Sequence, residues 1–182
     1  MASVQAVLLD PTSFIEERIR QGHIRDEVWD GVLHVVPQPT SHHQVFGAEL
    51  IIALGPIVKV RGWRIAYEAA VYDHAKNYRV PDVLVFDPRQ QSDRGVERHC
   101  ELVIEILSPD DESQAKLPYY ARTGTREVWL VDRITRGVEV HVLNVDRYER
   151  FSTLEAEVRS PVLDIVLATV AGPKLRLGDA EI

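Results

Sequence analysis

The sequence predicts an α+β chain, α/β-like in places, built on a central mixed β-sheet flanked by helices. Three observations predict it. Short apolar, β-branched runs of strand length occupy residues 80–86, 101–107 and 127–132. Two stretches with helical spacing separate them from one another or precede them, one opening at Ser41 and one following Ser108-Pro109. Finally, 182 residues with 45% apolar and 27% charged side chains suit one domain, spanning 1–182, with a real core.

Taken in order, Asp10-Pro11-Thr12 caps a short helix that runs to about Gln21 and stops at Gly22, with Phe14, Ile15, Arg18 and Ile19 along one edge. Residues 27–36 alternate around Asp30-Gly31, which reads as a hairpin, and Pro37 and Pro39 end it. Ser41 and Gln44 match a capping box ahead of the main helix, in which Val45, Ala48 and Ile52 share one side beside Phe46, Leu50 and Leu54. That helix is expected to end near Gly55-Pro56 or shortly beyond. Residues 63–72, 80–86 and 101–107 read as strands, and the polar stretch 87–99 as a surface loop. A helix from Asp110 or Ser113 to Arg122, closed by Gly124, must either start late or kink at Pro118, which cannot donate to the carbonyl four residues back. Residues 127–132 and 137–143 are further strands, 147–153 pair with the latter, and 162–167 form a strand or short helix.

Composition narrows the function. The net charge of −7 argues against a protein that coats nucleic acid without specificity, because phosphate contacts dominate such binding. It does not argue against a metal-dependent enzyme, whose ligands are clustered carboxylates. The single cysteine, Cys100, leaves no internal disulfide framework and fits a reducing compartment. The N-terminus lacks the basic start and apolar core of a secretory signal, and the longest uninterrupted apolar stretch, 50–58, is too short to cross a bilayer. The expectation is therefore a cytoplasmic protein without a membrane partner.

Alternation along residues 101–107 sets Glu101, Val103, Glu105 and Leu107 on one face and Leu102, Ile104 and Ile106 on the other. Glu105 is then an acid in mid-strand among aliphatics. A buried, unpaired carboxylate is costly, so it protonates, pairs with a cation or binds a metal. Asp82, between Pro81 and Val83-Leu84-Val85, has the same character. If the two strands are neighbours, both carboxylates reach one ion, and such a donor set suits Mg²⁺ or Mn²⁺. Lys116, in the following helix, could stabilise charge developing on a scissile phosphate. Each residue alone has a plainer reading: a turn aspartate, a glutamate paired with a distant arginine, a solvated lysine. Their joint order favours the chemical one.

The strings Arg79-Val80-Pro81-Asp82, Leu102-Val103-Ile104-Glu105-Ile106-Leu107-Ser108-Pro109, Lys116-Leu117-Pro118-Tyr119-Tyr120-Ala121 and Arg126-Glu127-Val128-Trp129-Leu130-Val131-Asp132 carry a resemblance. Together they resemble the Uma-two-like putative restriction endonuclease family, a branch of the PD-(D/E)XK nuclease superfamily. The likeness covers about residues 10–145 and leaves 146–182 as a C-terminal extension. It implies a restriction-endonuclease-like fold and a Mg²⁺-dependent endonuclease that hydrolyses DNA phosphodiester bonds with metal-activated water, acting as a homodimer. By the same resemblance Asp82 and Glu105 are the metal ligands, joined by the backbone carbonyl of Ile106. The superfamily lysine normally sits two residues after the glutamate. Here Leu107 occupies that place, and Lys116 matches the lysine's position in this branch. His43 is a candidate substrate contact at the cleft mouth, and Glu49 resembles an extra acid used by some superfamily members. A non-catalytic binding or regulatory module that keeps the fold is the alternative.

Other residues have blander readings. His34, His42 and His43 match no zinc spacing. Tyr119, Tyr120 and Trp129 read as core, and Asp132 as a strand end. Arg79, Arg89, Arg94 and Arg98 could meet phosphates, although a solvated loop explains them better.

Overall fold

Glycine, proline and left-handed turns cut the apolar runs into more pieces than periodicity suggests. A computed structural model of the protein describes residues 4–7, 11–22, 25–108 and 112–182. Strand β1 (Val4–Val7) and helix α1 (Pro11–Arg20) precede β2 (Glu27–Trp29) and β3 (Val32–Val35). Helix α2 (Ser41–Val60) leads to β4 (Arg64–Tyr67), β5 (Val71–His74), β6 (Asn77–Arg79) and β7 (Val83–Phe86). A 3-10 turn (Pro88–Gln90), β8 (Gln91–Ser92) and β9 (Gly95–Glu97) come before β10 (Leu102–Leu107) and α3 (Ser113–Thr123). Then follow β11 (Glu127–Asp132), β12 (Val138–Asn144), β13 (Arg147–Ser152), β14 (Val158–Ser160), β15 (Ile165–Val170), β16 (Lys174–Leu177) and β17 (Ala180–Glu181).

The central sheet has the order β13-β12-β11-β10-β7-β4. Only its β10–β11 pair is parallel, with α3 as the crossover; the other neighbours run antiparallel. A second sheet, β1-β3-β2-β6-β5-β9-β8, and a tail sheet, β14-β15-β16-β17, complete the described architecture. One face of the central sheet presents Val83, Val85, Ile104, Ile106 and Trp129 to α2, through Phe46, Leu50, Leu54 and Val58, and to Leu163, Leu167 and Leu175 of the tail. The other face presents Leu84, Val103, Val128 and Leu130 to Tyr119 and Tyr120 of α3.

Several expectations are met in detail. Asp30 and Gly31 both have positive φ, 48° and 89°, as a two-residue hairpin turn requires. Gly124 takes the left-handed conformation and closes α3. The run 127–132 is a strand throughout, and β13 pairs with β12.

Others are corrected. The cap of α2 is Thr40, whose hydroxyl accepts from the His43 N–H, one residue earlier than the expected Ser41 box. Gln44 instead donates to Glu68, so its side chain was never available to close a box. The helix ends shortly beyond Gly55-Pro56 as expected, at Val60, and Pro56 is exposed, so the carbonyl it deprives faces solvent. Pro118 likewise sits inside α3 on its exposed side. Of the two apolar rows on α2, the Val45, Ala48 and Ile52 row faces outward, while Phe46, Leu50 and Leu54 face the sheet. Helix α2 is long and apolar enough to cross a bilayer by composition, yet this inner row lies in the core. The run 63–72 is broken into β4 and β5, in different sheets, because Glu68 adopts φ 50° and turns the chain. The loop 87–99 contains the β8–β9 hairpin. The proposed starts at Asp10 and Asp110, and the side chains of Ile15 and Ile19, lie outside the described residues.

Two close contacts are testable. Glu127 is buried, and burial pushes its carboxyl above the usual range, yet it accepts from Trp129 Nε1, Ser160 Oγ and the Val162 N–H and so ties β11 to the tail. Glu127→Gln sets an amide donor against this all-donor environment and should cost about 1–3 kcal/mol in urea unfolding. A Cβ on Gly47 would lie 2.5 Å from the Tyr67 ring. Gly47→Ala should therefore cost about 1–3 kcal/mol from overpacking, despite a helix preference of about 1 kcal/mol in its favour.

Candidate active site

Register brings the two predicted acids together. Across the β7–β10 ladder Leu102 faces Val85, Val103 faces Leu84 and Ile104 faces Val83. One further antiparallel step sets Glu105 opposite Asp82. Alternation sends both side chains toward α3, because Val83, Ile104 and Ile106 take the other face. Both are buried, Asp82 at 5% and Glu105 at 3% exposure. The Ile106 N–H donates to Asp82 Oδ2 at 2.7 Å, which fixes that carboxylate against β10.

Helix α3 supplies the cation. Lys116 and Tyr120 are four residues apart and share a helical face. Lys116 Nζ lies 3.1 and 3.2 Å from the two oxygens of Glu105, and Tyr120 OH donates to Glu105 Oε1 at 2.6 Å. The lysine also reaches Glu27 Oε1 at 2.9 Å. Glu27, on β2, further accepts from the Val80 N–H at 2.8 Å and from Trp29 Nε1 at 2.6 Å. A second cluster surrounds Asp82. Arg25 NH2 lies 3.3 Å from Asp82 Oδ1, while its Nε lies 3.1 Å from Glu68 Oε1, close enough for an ion pair but not aligned as a hydrogen bond. Gln44 donates to Glu68 at 2.9 Å, and the Glu68 N–H donates to the Asp82 carbonyl at 3.0 Å. His43 Nε2 is 3.3 Å from Asp82 Oδ2, and its buried Nδ1 meets no hydrogen-bond partner among the described residues.

Arg25, Glu27, His43, Asp82, Glu105 and Lys116 line a cleft of about 320 Å³, whose wall also includes Trp29, His34 and Arg133. Burial pushes the Glu105 carboxyl up to about 8; Asp82 and Glu27 add to this, while Lys116 and the Tyr120 hydroxyl oppose it. For Lys116 burial works toward the neutral form, but Glu105 and Glu27 outweigh it and hold the lysine above its ordinary range. The ammonium therefore stays charged.

Four carboxyl groups, Glu27, Glu68, Asp82 and Glu105, gather around Arg25 and Lys116. Burial favours the neutral form of Glu105, and a cation at the site would favour its carboxylate. Carboxylate oxygens are the donors a hard cation prefers. Among the described residues no three His, Cys, Asp or Glu side chains form a ready ligand cluster. Asp82 and Glu105 fit Mg²⁺ by donor chemistry alone, since that ion is commonly held by one or two carboxylates and keeps several waters.

Of the predicted residues, Asp82, Glu105, Lys116 and the Ile106 backbone converge. His43 joins them, although it is buried against Asp82 rather than open at the cleft mouth. Glu49 does not join them. Six residues beyond His43, it has rotated to another side of α2 and lines a separate groove with His42. His34 is buried and stacks on Trp29 at 4.1 Å. Arg79 is buried, donates to the Val28 carbonyl and sits between the Trp29 and Tyr119 rings. Arg89, Arg94 and Arg98 pair with Asp87, Glu97 and Asp73, away from the cleft. Sequence reasoning missed Arg25, Glu27, Gln44, Glu68 and the Tyr120 hydroxyl. The four-residue step from Lys116 could have found Tyr120, and alternation with Trp29 could have singled out Glu27. Nothing local marks Glu68, whose position depends on a left-handed residue between two sheets.

Comparison with known proteins gives the family and the fold. The family described as Uma2, putative restriction endonuclease, matches residues 15–171. None of the functionally curated proteins matches the chain. A solved structure described as a putative nuclease belonging to DUF820, from Anabaena variabilis ATCC 29413, superposes with a TM-score of 0.62 at 24% identity. The match covers 76% of this chain and 83% of that one, and it establishes a shared fold. A DrdV–DNA complex matches 62% of this chain and 12% of its own at 16% identity, and its TM-score of 0.33 supports no argument.

The lysine bridge is separable from the chemistry by stability alone. Lys116→Met leaves Glu27 and Glu105 buried without their cation and should lower unfolding free energy by about 3–5 kcal/mol. Adding Glu105→Gln should recover part of that loss in the double variant.

Proposed function

From the premise that this chain belongs to the Uma2 putative restriction endonuclease family, we propose that it is a divalent-metal-dependent nuclease that hydrolyses phosphodiester bonds in DNA. The fold is α+β and restriction-endonuclease-like. The observation that carries the reading is the pair of buried carboxyl groups, Asp82 and Glu105, set opposite each other beside Lys116 in one cleft.

Asp82 and Glu105 would hold Mg²⁺ or Mn²⁺, with the Ile106 carbonyl as a further donor. When bound, such an ion supplies Lewis acidity and lowers the pKa of a water molecule. The remaining work belongs to the chain. The Ile106 N–H keeps Asp82 from rotating. Tyr120 orients Glu105 through its hydroxyl. Glu27 holds Lys116 from behind, so the ammonium is positioned before substrate arrives. Lys116 then places positive charge where negative charge grows on the scissile phosphate, in a site poor in water. Arg25 shares Asp82 with His43 and draws Glu68 into the wall. A homodimer would present two such clefts to the two strands of a duplex.

One observation favours the alternative of a non-catalytic module. Both carboxylates are paired with protein cations, Asp82 with Arg25 and Glu105 with Lys116. Calorimetric titration with Mn²⁺ separates the readings. The nuclease predicts binding that Asp82→Ala and Glu105→Ala abolish, whereas the module predicts none. On supercoiled plasmid with Mg²⁺ or Mn²⁺, either alanine variant should lose at least about a hundredfold in nicking rate, on the scale of removing one electrostatic stabiliser or more. Nicking by both variants at the wild-type rate would sink the proposal.

A further inference from the structure

A second groove, of about 370 Å³, opens beside the cleft and shares Arg133 with it. Arg133 and Arg136 lie on the β11–β12 turn, just past the C-terminal end of the parallel β10–β11 pair. The turn is held rigidly. Asp132 Oδ1 accepts from the Ile134 and Thr135 N–H groups at 2.8 and 3.1 Å, and the Arg136 N–H donates to the Asp132 carbonyl at 2.8 Å. Arg136 itself has φ 61°, and Thr169 donates to its carbonyl at 3.0 Å. Its guanidinium is laid over the Phe46 ring, 4.1 Å from the centroid, so the head group has little freedom.

Many arginines of the described surface are paired with acids, and the two on this turn are not. Arg94, Arg126 and Arg150 each reach a carboxylate. Among the described residues Arg133 and Arg136 reach none, and Arg136 NH1 is buried without a hydrogen-bond partner. In a chain of net charge −7, the fixed Arg136 guanidinium, with a buried and unpartnered NH1, and the neighbouring Arg133 call for an anion, although Glu49 lines the same groove. A guanidinium fork matches phosphate oxygens in particular.

We propose that this groove binds a backbone phosphate of the polynucleotide next to the one held at Asp82 and Glu105, with Arg136 and Arg133 as the donors. The inference rests on the nuclease reading and adds to it the path of the strand: out of the cleft past Arg133 and over the first turns of α2. Arg133 and Arg136 are positioning residues. They fix the register of the strand, and they carry no base recognition.

The test is fluorescence anisotropy of a labelled duplex with wild type in EDTA, over a series of salt concentrations. Arg133→Ala and Arg136→Gln should each weaken binding several-fold and reduce the salt slope by about 1, the loss of one phosphate contact. Arg136→Lys should keep the slope, which separates lost charge from lost packing on Phe46. Arg147→Ala, on the exposed edge strand β13, should change neither quantity and controls for net charge. Wild-type affinity and slope in both groove variants overturn the inference while leaving the nuclease reading intact. A wild type that neither binds duplex in EDTA nor cleaves it with Mg²⁺ or Mn²⁺ overturns both.

Discussion

The structure depends on how one buried carboxylate, Glu105, is satisfied. It sits in the middle of the central sheet, where an unpaired charge would be untenable. Lys116 from α3 and Tyr120 one turn later resolve this, and Glu27 from the second sheet completes a chain of acid, base and acid. Three elements distant in sequence are thereby tied at one point. Buried ion pairs seldom add net stability over a well-packed apolar alternative. Their presence here is not explained by what they contribute to folding.

The same point explains the placement of the second sheet. Its strands β2 and β6 lie beside the cleft because Glu27 accepts from both the Lys116 ammonium and the Val80 backbone, two residues before Asp82. The connection from β6 to β7 is thus a hinge between sheets and also the segment that carries the first acid. Glu68, in a left-handed conformation unusual for its residue type, plays the matching part between β4 and β5. A left-handed residue and buried charge coincide beside Asp82.

Much of this was legible in the sequence. Apolar, β-branched runs gave strands β7, β10 and β11, and alternation put Glu105 in mid-strand among aliphatics. Its meeting with Asp82 depended on β7 and β10 being neighbours. The Asp30-Gly31 and Gly124 signals gave a turn and a helix end. The family motifs pointed to Lys116 where Leu107 cannot serve. What was not legible depends on register and on contacts between sheets. Arg25 and Glu68 meet Asp82 only because two sheets abut, and Glu49 points away because helical rotation, not sequence distance, decides which side it occupies. The outward row of α2 was indistinguishable from its inward row, since both are apolar.

The tail has a consequence for how the chain is made. Leu163, Leu167 and Leu175 cover the same core that Phe46, Leu50 and Leu54 of α2 begin. As the polypeptide leaves the ribosome, α2 emerges more than a hundred residues before Leu175. Until that residue is free, part of the apolar face of the nascent helix has no lid. At ordinary elongation rates that interval lasts on the order of 5–20 seconds. This is long compared with helix formation, and a holding chaperone would find its substrate there.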